Sequence, residues 1–84
     1  MIIHKNLLKF LETINIKDLD FSPITEYNLR QYFNNYDYYL LRNFCLTNNL
    51  LTINYHVIIL TSHGKNFLNI LKTFSMFWNS EKLE

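Results

Sequence analysis

One glycine, one proline and one cysteine are all that 84 residues hold of these three types. The scarcity of glycine and proline excludes a turn-rich or low-complexity chain and implies mostly regular elements. The lone Cys45 excludes an intramolecular disulfide and points to a reducing compartment. Charge of one sign is lacking too: 8 Lys and Arg face 7 Asp and Glu, a net charge of +1. That balance excludes the strongly basic footprint that argues for nucleic acid on charge alone, although charge can still be placed unevenly. No apolar run approaches the roughly 20 residues that span a bilayer. The N-terminus has one lysine among apolar residues and no small-residue cleavage site of the secretory kind. The expectation is a soluble cytoplasmic protein with no membrane partner.

What is present is hydrophobic. Apolar residues make up 49% of the chain and aromatics 17%, too much for a disordered tail. Residues 1–84 are expected to form one small domain with a modest core, a size at which oligomerisation often supplies further burial. Asn, Ile, Lys, Tyr and Phe are heavily used. Their AT-rich codons fit an AT-rich genome, such as that of a virus or plasmid of an archaeon or bacterium, where the compartment would be the host cytoplasm.

Apolar periodicity predicts a first helix over Ile3 to Ile14, with Ile3, Leu7, Phe10, Leu11 and Ile14 on one face. Asn15 to Pro23 reads as a polar connector with Leu19 and Phe21 as apolar anchors. A second helix follows, with Thr25 as N-cap and Ile24 and Leu29 placed as a hydrophobic staple, running to about Phe33. Ser22 with Pro23 is an alternative start. Asn34 and Asn35 break the pattern. A third helix covers about Tyr36 to Thr47, with Leu40, Leu41, Phe44 and Cys45 inward and Tyr38, Tyr39, Arg42 and Asn43 outward. Asn48 and Asn49 end it. Leu50 to Tyr55 and Val57 to Leu60 read as two short strands with a small tip. Thr61 caps a last helix whose seam is Phe67, Leu71, Phe74 and Trp78. Ile70, Met76 and Phe77 widen that apolar surface beyond what docking on one small domain needs.

The single glycine stands in LTSHGKNFL, Leu60 to Leu68, with a lysine behind it. A phosphate-binding P-loop needs a glycine five residues earlier and a hydroxyl residue after the lysine. Ile59 and Asn66 occupy those positions, so no nucleotide site is expected. Gly64 instead falls in the first turn of the last helix, where the missing Cβ lets another element approach closely. Helical glycine costs about 1 kcal/mol against alanine, which close packing can offset.

The order helix, helix, helix, two-stranded hairpin, helix resembles the winged helix-turn-helix domain of small archaeal and bacterial transcriptional regulators. The residues that carry the likeness are VIILTSHGKNFLNIL, ITEYNL at the start of the second helix and NNLL after the third. It covers about residues 3 to 74. The resemblance implies a mainly α fold with one small β-hairpin. It also implies DNA binding, with the third helix in the major groove. The matching base-reading positions are Tyr38, Tyr39, Arg42 and Asn43; arginine suits guanine and asparagine suits adenine. Backbone contacts would come from Thr25 with the nearby amides, from Arg30, and from the hairpin tip, Asn54, Tyr55 and His56. Only Arg42 is basic on the third helix, and the hairpin has no lysine or arginine.

The expected function is therefore a repressor-like, DNA-binding homodimer. The partners are double-stranded DNA and a second copy, paired through Ile70, Phe74, Met76, Phe77 and Trp78 of a C-terminal helix over residues 62–82. Ile2 and Ile3 are expected to help. The alternative is a protein–protein adaptor of the same fold, which the neutral charge and exposed tyrosines also fit. His4, His56, His63 and Cys45 lack metal-ligand spacing. Asp18 and Asp20 fall on the polar connector, away from any catalytic constellation. No enzyme activity, cofactor or small-molecule ligand is expected.

Overall fold

The computed structural model describes residues 6–82, and side chains over residues 6–74. The chain runs α1 (Leu7–Leu19), α2 (Glu26–Arg30), α3 (Asn35–Thr47), β1 (Leu51–Asn54), β2 (Val57–Leu60) and α4 (Ser62–Lys82). The fold is mainly α with one two-stranded antiparallel hairpin, in the expected order.

α1 buries Leu7, Phe10, Leu11 and Ile14, the i, i+3, i+4, i+7 stripe of an amphipathic helix. Ile2 and Ile3 lie outside the described residues. The helix does not stop at Ile14. Nothing between Asn15 and Asp18 opposes helix, so the expected connector forms another turn. The end is a Schellman motif. Ser22 N–H donates to the Lys17 carbonyl at 3.0 Å and Phe21 N–H to that of Asp18 at 3.0 Å. Phe21 occupies the left-handed position at φ 58°. Leu19 and Phe21 are not anchors: they are 64% and 96% exposed. A left-handed non-glycine residue costs roughly 1–2 kcal/mol, and glycine's extra chain entropy returns roughly 0.5–1 of that. Phe21→Gly is therefore expected to stabilise the fold by about 0.5–1 kcal/mol, read as an increased urea midpoint at constant slope.

α2 starts where expected. Thr25 Oγ1 accepts from Asn28 N–H at 3.2 Å, and both Ile24 and Leu29 are buried. It ends at Arg30 rather than Phe33, because a tight turn follows: Phe33 N–H reaches the Arg30 carbonyl at 3.3 Å. Phe33 is half-buried, its ring centroid 5.4 Å from that of Phe10. Asn34 then caps α3, accepting from Asp37 N–H at 2.8 Å. α3 buries Leu41 and Cys45 as expected and keeps Phe44 half-buried, but its inward stripe is rotated by about a sixth of a turn, so that Tyr38 replaces Leu40. Tyr38 points inward, with its ring 6.2 Å from that of Phe10. Leu40 points outward. The aromatic contact with α1 decides the phase, because a tyrosine ring fills more of the core than a leucine.

α3 ends in a second Schellman motif. Leu50 N–H donates to the Cys45 carbonyl at 2.8 Å and Asn49 sits at φ 57°. β1 and β2 pair in register from Leu51 with Leu60 to Asn54 with Val57. Tyr55 and His56 make the turn, both at positive φ, as a type I′ hairpin requires. An isolated bridge from the start of α2 to the hairpin was not expected. Thr25 bridges Val57; Ile58 N–H donates to the Ile24 carbonyl at 2.9 Å and Glu26 N–H to that of His56 at 2.8 Å.

Thr61 joins the end of α3 to the start of α4. Its N–H donates to the Leu50 carbonyl at 3.1 Å, its hydroxyl to the Asn49 carbonyl at 2.6 Å, and its Oγ1 accepts from Gly64 N–H at 2.9 Å. Gly64, Leu68 and Leu71 form the buried stripe of α4. The expected seam is displaced: Phe67 is half-buried and Phe74 is 62% exposed. Among the described residues no helix is long and apolar enough to cross a membrane.

Candidate functional site

α2, α3 and the hairpin tip enclose an open groove of ≈ 410 Å³, lined by Glu26, Tyr27, Arg30, Tyr38, Tyr39, Arg42 and His56. Glu26 is at its centre. It is the first residue of α2, and its N–H is bonded to the hairpin tip. Its Oε1 accepts from Arg42 Nε at 2.7 Å and from the Tyr38 hydroxyl at 3.2 Å. Its Oε2 is 3.4 Å from His56 Nδ1. One carboxylate thus touches all three elements.

The Arg42 hydrogen bond, above all, holds the Glu26 carboxyl below its ordinary value of 4.5, and bonds from His56 and Tyr38 add to it against the cost of burial. A carboxyl depressed on folding contributes stability that is present above its unfolded value and lost as pH falls through its native value. Wild type should therefore lead Glu26→Gln in thermal midpoint above about pH 4.5. That lead should shrink as pH falls below this, and melting both proteins across the acid range checks it. Burial pushes the Tyr38 hydroxyl up to about 12, and the neighbouring Glu26 charge adds to the shift. Burial alone pushes the Cys45 thiol up to about 12, so it is an inert core thiol, as expected.

The predicted site residues divide. Arg30, Tyr39, Arg42 and His56 come together at the groove. The Arg30 guanidinium carbon lies 5.7 Å from the Tyr39 ring centre, within cation–π range. Asn43 is exposed beside them on α3, and Asn54 and Tyr55 are exposed at the tip. Tyr38 is not a surface residue: it is 1% exposed and serves the core with its ring and Glu26 with its hydroxyl. Arg42 is half-buried and ion-paired, not free on an outward face. Thr25 uses its hydroxyl oxygen as an N-cap, and α2 has only five residues, too short to supply a strong helix dipole.

The outward side of α3 instead carries Tyr36, Tyr39, Leu40 and Asn43, which with Asn35 line a shallow depression of ≈ 370 Å³. Tyr36 and Leu40 were missed because the helix phase was misplaced. Glu26 was missed because it lies 16 residues from Arg42, beyond any local spacing signal. Lysines on the α1–α4 side are committed elsewhere: Lys65 Nζ lies 3.8 Å from Asp18 Oδ2 and Lys72 Nζ 3.3 Å from Glu12 Oε1. Asp18 is therefore a paired residue within α1, not a solvated connector charge. Of the residues expected to pair two copies, Ile70 and Phe74 are 52% and 62% exposed, one turn apart. The side chains of Met76, Phe77 and Trp78 lie outside those described. Among the described residues no group of three His, Cys, Asp or Glu could hold a metal ion.

Comparison with known proteins finds no matching protein family, no matching curated protein and no matching solved structure.

Proposed function

We propose that the chain is a winged helix-turn-helix protein that binds double-stranded DNA as a homodimer, in the manner of a repressor. The observation that carries the proposal is the convergence of Arg30, Arg42 and His56 on one groove beside the outward side of α3. Arg30 has no acidic hydrogen-bond partner among the described residues and can meet a phosphate. Asn43 offers the paired donor and acceptor that match adenine, and Leu40 offers apolar contact to a thymine methyl. The expected operator is therefore rich in A·T pairs. Exposed Asn54 adds an uncharged hydrogen-bonding group at the hairpin tip. Ile70 and Phe74 support pairing with a second copy through α4, because such a patch is covered in stable two-fold dimers.

Few cations face the groove, so the salt dependence should be shallow. One phosphate contact, from Arg30, predicts a log–log slope of about −1 per protomer, since the Arg42 charge is already paired with Glu26. Fluorescence anisotropy with labelled duplexes across a salt series checks this, and Arg30→Ala should reduce the slope by about one unit. Absence of duplex binding at low salt would overturn the proposal. The adaptor reading would then lead, since the outward side of α3 presents Tyr36, Tyr39 and Leu40 and no cation.

A further inference from the structure

An acid inside a face proposed to meet phosphates calls for a physical reason. Burial does not supply one: the Glu26 side chain keeps 20% of its exposure, and replacing it would leave a less acidic groove. Arg42 is not the only group that holds it. The backbone N–H of Glu26 is bonded to the His56 carbonyl, and its carboxylate accepts from the Tyr38 hydroxyl at 3.2 Å and lies 3.4 Å from His56 Nδ1. It engages Arg42 through Nε at 2.7 Å. An arginine held at Nε is fixed in direction, because the guanidinium is planar and its stem loses rotational freedom. Its terminal nitrogens make no hydrogen bond to an acid among the described residues. Pairing through both terminal nitrogens would instead have consumed the fork that matches a guanine edge or a phosphate.

We infer that Glu26 is a positioning and specificity-determining residue: it holds Arg42 by Nε so that the terminal nitrogens meet one fixed point on DNA, and its charge suppresses indiscriminate phosphate binding. The inference rests on the DNA-binding proposal and names the residue that sets discrimination within that face. It also explains why the groove is not more basic. A freely mobile Arg42 would bind any phosphate within reach; a tethered one contacts DNA in a single register. Tyr38 reinforces the tether from the core side by donating its hydroxyl to the same oxygen.

Charge alone and positioning predict different results, which makes the inference testable. Preferred duplexes are selected from a randomised pool with the wild-type protein, and single-position variants of the selected duplex then report base preference. An oriented arginine contact is worth about 5- to 150-fold in preference at one base pair. Glu26→Ala should bind random duplex about two- to fivefold more tightly, since one opposing charge is gone. It should also cut that preference to below about twofold. Glu26→Gln keeps an acceptor for Nε without the charge. It should gain the same non-specific affinity yet retain most of the preference. Arg42→Ala should lose the preference, and adding Glu26→Ala to it should change the preference no further. Melting curves establish that each variant is folded, and if the alanine variant is not, the glutamine variant decides. Full base preference in Glu26→Ala, or unchanged random-duplex affinity in Glu26→Gln, would overturn the inference while leaving DNA binding standing. Wild type that binds duplex without base preference would overturn the inference alone, and absence of any duplex binding at low salt would overturn both.

Discussion

Gly64→Ala should destabilise the protein by about 3 kcal/mol, the upper part of the range for overpacking a close contact. Helix propensity predicts the opposite sign, a gain of about 1 kcal/mol for alanine. The geometry decides between them. A Cβ at Gly64 would run into the carbonyl oxygen of Leu50, with the carbonyl carbon 2.8 Å and Cα 3.2 Å away. These are backbone atoms, and they are pinned. The Leu50 carbonyl accepts from Thr61 N–H, and Leu50 N–H closes the Schellman motif of α3. Making room would mean moving the start of α4 away from the end of α3. It would also strain the Thr61 hydroxyl bonds that join them. A loss of that size lowers the melting temperature of so small a domain by more than about 10 °C. Calorimetry would read it directly. An alanine variant as stable as wild type would show that the two helices can separate without cost.

Tyr38→Ala should cost about 3–5 kcal/mol, the usual loss when a large buried ring is deleted. If Tyr38 stood on an outward, base-reading face, the same change would leave stability nearly untouched. The ring contacts Phe10 at 6.2 Å and Tyr39 at 5.2 Å, so deletion opens a cavity where α1 and α3 meet. Tyr38→Phe keeps the ring and removes only the hydrogen bond to Glu26, a loss of about 1 kcal/mol. Denaturant unfolding of both variants separates the two contributions. A phenylalanine variant as damaged as the alanine variant would shift the weight from packing to the hydroxyl.

The elements that were legible in the sequence are those with a local physical signature. The stripe of Leu7, Phe10, Leu11 and Ile14, the Thr25 and Thr61 caps, the asparagines ending α3 and the packing glycine all act within a few residues. The apolar run Val57 to Leu60 between turn residues marked the hairpin just as locally. The extra turn of α1 was not legible, because Asn15 to Leu19 carries neither a strong helix signal nor a breaker. Its end depends on Phe21 taking a conformation that its side chain disfavours. The phase of α3 was misplaced because Leu40 and Tyr38 compete for the interior, and only the Phe10 ring on another helix settles which wins.

The candidate site was legible in the same partial way. Arg30, Tyr39, Arg42 and His56 were singled out one by one, and they do meet at one groove. The residue that organises them was not, since Glu26 looks in the sequence like an ordinary first-turn acid. Its role arises from the hydrogen bond between its backbone and the hairpin tip, a contact 30 residues distant in sequence. Long-range pairing of this kind has no periodic trace.

The most direct test of the DNA-binding proposal is nuclear magnetic resonance of the isotope-labelled protein titrated with an A·T-rich duplex. The account predicts that amide shifts concentrate on α2, the outward side of α3 and the hairpin tip, with Arg30, Tyr39, Asn43 and His56 among the residues most affected. Shifts confined to α1 and α4, or no shifts at low salt, would contradict it.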